Sequence, residues 1–275
     1  MDIKRVATTL IGLPIVAAVL VFANKYIVDV LIAAIALIAM HEFLNAISKK
    51  SKPIRWICYT ACISIAFIHI IPMEYFNLII TTVIAVIMLI LFLHVISSRM
   101  DISFKDIAYT FFGIFYIAFF MMFFAAIRGM ENGNVLIWYA VISSWATDIF
   151  AYLIGKHFGK HKFSKISPKK TIEGCIGGTV GALVIVLLYT YLVNTFLGMN
   201  YSYIQIGAIA FVLSIISQIG DFAASSIKRY VDVKDYSELI PGHGGMLDRI
   251  DSLLFIAPFA YVMFNFIVLT TRAGL

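Results

Sequence analysis

The sequence predicts an all-α fold: a polytopic membrane helix bundle of about nine transmembrane helices, with the N-terminus cytoplasmic and the C-terminus outside. Three observations carry this expectation. Hydrophobic residues fill 62% of the 275 positions and charged residues only 13%, against about a quarter charged in ordinary soluble domains; the mean hydropathy is +0.97. Apolar runs able to cross roughly 30 Å of hydrocarbon as helices recur along the whole chain. The lysines and arginines fall almost entirely on one side of those runs.

Taken in order, the spans read 5–23, 27–47, 54–71, 75–97, 107–127, 135–155, 175–197, 202–224 and 252–271. Lys4 and Arg5 precede the first, whose apolar core is too long for a cleaved signal peptide, so it reads as a retained helix. Pro14 and Pro258 fall inside spans, where lipid-embedded helices accommodate them. The third span is the weakest, because it carries Ser64 and His69 and ends at Pro72. With the N-terminus inside, 18 of the 21 lysines and arginines face the cytoplasm and only Lys25, Arg128 and Arg272 lie outside. An even number of spans, or the opposite orientation, spoils that partition. The formal charge of +6 therefore reports topology. No nucleic-acid module or aromatic–basic interleaving accompanies it, which argues against DNA or RNA as a partner. Cys58, Cys62 and Cys175 form no metal framework, and buried thiols behave as small hydrophobes.

Few buried ionisable groups are expected before Asn134; His41 and Glu42 read as interfacial residues at the end of the second span. Beyond Asn134 acidic residues enter the spans, and the two longest connections appear. The chain therefore divides into 1–134, five spans serving as scaffold and oligomerisation region, and 135–275, a catalytic region of four spans with cytoplasmic loops 156–174 and 225–251.

Asp148 lies within an apolar span, with Ser144 and Tyr152 one turn away on the same face. A carboxylate there costs about 2.5–3.5 kcal/mol on insertion scales and so faces a cavity or a partner. Gln218, Asp221, Ser225 and Lys228 recur at helical spacing and make one polar stripe; this points to a functional role for Asp221, with a mere salt bridge to a neighbouring cation as the alternative. Asp248 and Asp251 stand at the start of the last helix, where acids commonly offset the dipole and cap free amides. Capping does not explain why Asp248 follows a Gly-Gly pair and adjoins Arg249. Asp221 and Asp248 amid Lys228, Arg229 and Arg249 suggest oxygen ligands for Mg²⁺ surrounded by phosphate binders. Gly242, Gly244 and Gly245 let backbone amides approach an anion, and His243 is either a phosphate donor or a loop-packing residue. The basic loop before residue 174 reads as more than a contact with lipid headgroups, although it lacks a P-loop pattern. Gly174, Gly177, Gly178 and Gly181 read as a small-residue face for close helix packing.

The stretch Ser225–Asp251, with SSIKR, KD and LIPGHGGMLDRID, resembles the signature of the phosphatidate cytidylyltransferases (CDP-diacylglycerol synthases). Gly220-Asp221, the Asp148 segment and the run Ser167-Pro168-Lys169-Lys170-Thr171-x-Glu173-Gly174 are similar to that family as well. The informative similarity covers roughly 145–255. The resemblance implies transfer of CMP from CTP to phosphatidate, giving CDP-diacylglycerol and pyrophosphate. It also implies Mg²⁺, with a second metal ion or a monovalent cation left open, and a homodimer in the inner membrane with its site facing the cytoplasm. Asp221 and Asp248 then hold the metal with Asp251 in support, and Lys228 and Arg229 serve the transfer. Asp148, Ser167, Lys169, Lys170, Thr171, Glu173, Ser225, Ser226, His243, Gly244, Gly245 and Arg249 are the expected substrate contacts.

Two rivals share some of these features. A transporter also has many spans and intramembrane acids, but here the acids cluster with glycines and cations, and no repeated pair of broken helices appears. A CTP-using lipid kinase would release CDP instead of pyrophosphate.

Overall fold

A computed structural model describes residues 16–70, 75–98, 101–163, 167, 170–239 and 244–273. The labelled helices are α1 (Lys25–Ile47), α2 (Arg55–Ser64), α3 (Phe76–Ser97), α4 (Phe104–Gly113), α5 (Phe120–Gly129), α6 (Gly133–Phe158), α7 (Ile172–Leu197), α8 (Tyr203–Tyr230) and α9 (Leu247–Ala273). Among the described residues seven helical stretches are long and apolar enough to cross a membrane, α4 and α5 counting as one because Ile114–Phe119 continues between them as a π-helical turn. Arg55–Ile70 is apolar but shorter, its last six residues forming a 3₁₀ turn. The predicted first span lies mostly outside the described residues, of which 16–22 are helical.

By proximity of its Cα atoms the chain forms two compact units, Met1–Gly129 with Val231–Arg249, and Met130–Tyr230 with Ile250–Leu275. The segment 231–249, which the sequence division gave to the catalytic half, groups with the N-terminal helices. α8 also continues to Tyr230, so Ser225, Ser226, Lys228 and Arg229 are helical rather than part of the following loop.

In the first unit, α1 buries Val28, Ile32, Ala36, Ala39, Met40 and Phe43. Gly113 permits close approach: a Cβ there would come within 2.8 Å of the Phe43 ring. Cys58 and Cys62 are buried, as expected of packing thiols. The expectation of few buried ionisable groups fails here, because Asp29, Glu42 and Asp106 are all buried. Each has partners that lessen the cost of burial. Asp29 Oδ2 meets His69 Nδ1 at 2.6 Å. Asp106 closes a capping box with Ser103 and accepts from the Lys52 N–H. Glu42 accepts hydrogen bonds from Ser237, Met246 and Leu247.

In the second unit, α7 packs its glycine face on α6. Cβ atoms at Gly174 and Gly178 would lie 2.8 Å from the carbonyl oxygens of Ala151 and Thr147. The small residues thus bring two backbones together, as the small-residue face predicted. Gly220 does the same on α8, where a Cβ would come within 3.0 Å of Phe255.

Candidate functional site

Within the second unit Asp148, Asp221 and Asp251, from α6, α8 and α9, come together. Asp221, four residues beyond Ser217 on α8, forms an ion pair with Lys170 from the connection ahead of α7. Both side chains are about three-quarters covered, at 24% and 28% exposure. The Lys170 ammonium also stands 4.4 Å over the Phe222 ring, a favourable cation–π arrangement. Asp251, one turn into α9, is buried and lies within electrostatic reach of Asp221, Lys228 and Asp148. Its Oδ1 accepts from the Ser252 N–H at 2.8 Å. The Ser252 hydroxyl donates to Asp148 Oδ2 at 3.3 Å, while Asp148 itself is exposed. Three carboxylates and two lysines thus share one neighbourhood.

Beside them runs a ladder of buried hydroxyls joined by the Gln218 amide; of these residues the sequence reading singled out Ser144 and Gln218 alone. Ser144 shares hydrogen bonds with Ser252 (2.9 Å) and Ser217 (3.3 Å). Thr147 donates to Ser214 (2.8 Å), which donates to Thr179 (3.2 Å), and Thr179 also accepts from the Gln218 amide (3.0 Å). Such side chains fasten apolar helices to one another. Their sequence signal is weak, because a lone Ser or Thr in a span can also bond its own helix backbone.

Ser167 is half-buried, and its carbonyl accepts from the Lys170 N–H at 3.1 Å. Thr171 is buried as the N-cap of α7, accepting from the Gly174 N–H. Glu173 folds back on the preceding turn, accepting from the Lys160 and His161 N–H groups and meeting His161 Nδ1 at 2.6 Å. Both therefore shape the basic connection. Lys169 and His243 lie outside the described residues. Ser225 is half-buried, while Ser226 and Arg229 are exposed at the end of α8. An apolar groove of about 620 Å³ runs between α7 and α8, lined among others by Ile176, Val180, Leu183, Phe211, Ile215 and Phe222. Phe222, under the Lys170 ammonium, marks its polar end.

Within the first unit, the segment ahead of α9 is built around two carboxylates. Asp248 Oδ2 accepts from the N–H groups of Tyr236 (2.9 Å) and Gly245 (3.0 Å), so the ordinary capping role applies to it. Gly244 has φ +82°, a conformation that glycine adopts without strain. Glu42 on α1 accepts from the Ser237 hydroxyl (2.5 Å) and from the N–H groups of Met246 (2.9 Å) and Leu247 (2.8 Å). Read from sequence as interfacial, Glu42 is 4% exposed. Its signal was an acid within an apolar run, a pattern that demands a partner. Arg249 is exposed beside Asp248. The first turn of the segment, directly after α8, is clipped by Lys50 Nζ to Asp232 Oδ2 at 2.8 Å, and the Lys50 ammonium holds that carboxyl below its usual range.

Among the described residues no three His, Cys, Asp or Glu side chains form a ready ligand cage for a metal. Magnesium does not require one, since it is commonly held by one or two protein carboxylates together with substrate phosphates and water. The donor set offered by Asp221 and Asp251 is all oxygen and fits such a hard cation.

These features define a class of protein: a polytopic helical bundle that places carboxylates and lysines together beside apolar spans. The sequence profile of the cytidylyltransferase family matches residues 3–267, and the chain belongs to that family. Particular relatives are phosphatidate cytidylyltransferases. That of Bacillus subtilis (strain 168) is 37% identical over 177 residues, 64% of each chain. That of Thermotoga maritima is 40% identical over 165 residues, 59% of this chain and 60% of its own. The Staphylococcus aureus (strain COL) protein is 40% identical over 171 residues, 62% and 64%. The chain thus spans somewhat under two thirds of the length of these relatives.

Proposed function

We propose that the protein is an Mg²⁺-dependent phosphatidate cytidylyltransferase. An oxygen of the phosphatidate phosphate attacks the α-phosphorus of CTP and forms a new P–O bond. The bond from that phosphorus to its bridging oxygen breaks, and pyrophosphate leaves with the electron pair, giving CDP-diacylglycerol. The observation that carries this reading is the gathering of Asp148, Asp221 and Asp251 with Lys170 and Lys228 in the second unit. The names of the relatives support the choice of substrates.

Asp221, Asp251 and Asp248 (one turn before Asp251 on the same helix) are the residues that would hold Mg²⁺. When bound, that ion neutralises triphosphate charge and polarises the phosphoryl group. Lys228, Arg229 and Arg249 offset phosphate charge, and Ser225, Ser226, Lys169 and His243 belong to the same substrate-contacting set. The attacking phosphate is already ionised at neutral pH, so the chain's task is alignment and electrostatic stabilisation rather than proton removal. Lys170 binds the lipid phosphate, and the groove ending at Phe222 takes an acyl chain. An apolar trough with a cation at its end matches a lipid whose charge sits at one tip.

The lysine and arginine bias supports a multi-pass protein of the inner membrane with this site facing the cytoplasm, where CTP resides. A homodimer is the expected assembly. The test is purified full-length protein given CTP, phosphatidate and Mg²⁺: CDP-diacylglycerol and pyrophosphate should form in equal amounts. Release of CDP, or solute flux without nucleotide turnover, would overturn the reading.

A further inference from the structure

Helix α9 begins with the usual problem of a helix start: its first N–H groups have no carbonyl partners within the helix. Here the donors are shared between two carboxylates. Asp248 takes the Gly245 N–H, and Glu42 takes those of Met246 and Leu247. An anion at this end also suits the helix dipole. Glu42 comes from a helix some 200 residues earlier in the chain, so the link is tertiary and not a local cap. It reaches further still, since Glu42 Oε1 also accepts from the Ser237 hydroxyl, while the neighbouring Tyr236 N–H donates to Asp248. One carboxylate therefore clamps both ends of the segment that orients Asp248.

The packing agrees. A Cβ on residue 245 would lie 2.6 Å from Glu42 Oε2 and 2.8 Å from its carboxyl carbon. Glycine at 245 is what allows the carboxylate to sit against the backbone. The carboxylate cannot retreat without giving up its two amide donors.

We infer that Glu42 is a positioning residue for nucleotidyl transfer: by clasping Ser237, Met246 and Leu247 it fixes the direction in which Asp248 leaves the start of α9. The inference rests on the reading given under Proposed function, which makes Asp248 a metal-binding group. Glu42 itself touches neither substrate nor reacting atoms. Its loss should act through Asp248, weakening productive metal and nucleotide binding at unchanged fold.

The experiment compares wild type with Glu42→Ala, Glu42→Gln, Gly245→Ala and the double variant Glu42→Ala/Gly245→Ala, all as full-length protein in detergent. Three quantities are read: turnover against Mg²⁺ concentration, the rise in melting temperature on adding Mg²⁺ with CTP, and amide exchange of residues 245–247. Glu42→Ala should lower turnover about 10–100-fold, the range for groups that orient metal ligands, and raise the Mg²⁺ needed for half-activation. It should also shrink the ligand-induced melting shift and speed exchange at Met246 and Leu247. Glu42→Gln, which keeps one acceptor oxygen, should recover part of each. Gly245→Ala should do similar damage alone but little more in the Glu42→Ala background, because the carboxylate it collides with is gone. The inference is overturned if Glu42→Ala keeps wild-type Mg²⁺ dependence and melting shift, or if activity falls only in proportion to folded protein. Wild type without transferase activity would instead refute the proposed function, and the exchange measurement would still report whether Glu42 holds the segment.

Discussion

Lys170 and Asp221 are ion-paired at the head of the groove between α7 and α8. The pair joins the basic connection ahead of α7 to α8, and both members are candidates for substrate or metal contact. In the proposed reaction the two partners separate their duties: Asp221 turns to the cation that accompanies CTP, and Lys170 turns to the lipid phosphate.

Replacing Asp221 by Asn keeps the shape and removes the charge. Turnover should fall by at least about 100-fold, the scale for removing one group that stabilises transition-state charge. Membrane insertion and melting temperature should stay near those of wild type. A variant with near-normal activity would remove Asp221 from the metal shell.

Filling the groove tests the lipid assignment separately. Val180 is exposed on α7 and lines it. Val180→Trp should raise KM for long-chain phosphatidate several-fold while leaving KM for CTP unchanged. A short-chain phosphatidate should be used almost as well as before. Equal effects on both lipids would assign the chain elsewhere.

Gly178 tests the α6–α7 contact. The Cβ added by Gly178→Ala would meet the Thr147 carbonyl oxygen at 2.8 Å, and a backbone atom cannot swing aside. Overpacking of this kind costs about 1–3 kcal/mol, to be read as a lower melting temperature in detergent. The hydroxyl ladder begins from the same turn of α6, so activity should fall with stability.

The Lys50–Asp232 pair sets a pH expectation. The folded-state pKa of Asp232 is depressed by Lys50, so any stability it contributes is present above the ordinary carboxylate range and is lost as pH falls through the folded value. Both side chains are substantially exposed, and the effect should be small and screened by salt. Asp232→Asn, which keeps a side chain tolerant of the left-handed backbone at φ +58°, should match wild type in strong acid. Any difference should appear only toward neutral pH and low salt. A difference that grows on acidification would have the wrong sign.

The polytopic helical bundle was legible because hydropathy is a long-range average that tolerates local error. Asp148 and Asp221 stood out as candidates for a related reason: a carboxylate in an apolar helix contrasts with its surroundings. The small-residue face of α7 was readable from glycine spacing alone. Glu42 was missed because it lies near the end of a span, where an interfacial position explains an acid equally well. Only the fold reveals that its partners are backbone amides of Met246 and Leu247. Thr171 and Glu173 read as substrate contacts on resemblance, whereas hydrogen bonding shows what they do locally. The buried link from Ser144 to Ser252 joins residues 108 apart in sequence, beyond the reach of any periodicity.

The central claim is that cytidylyl, and not a terminal phosphoryl group, passes to the lipid. Full-length protein in phosphatidate-containing vesicles should be supplied with Mg²⁺ and CTP labelled at either the α- or the γ-phosphorus. The account predicts α-label in the lipid fraction and γ-label in pyrophosphate. Gamma-label in the lipid, with unlabelled CDP released, would contradict it.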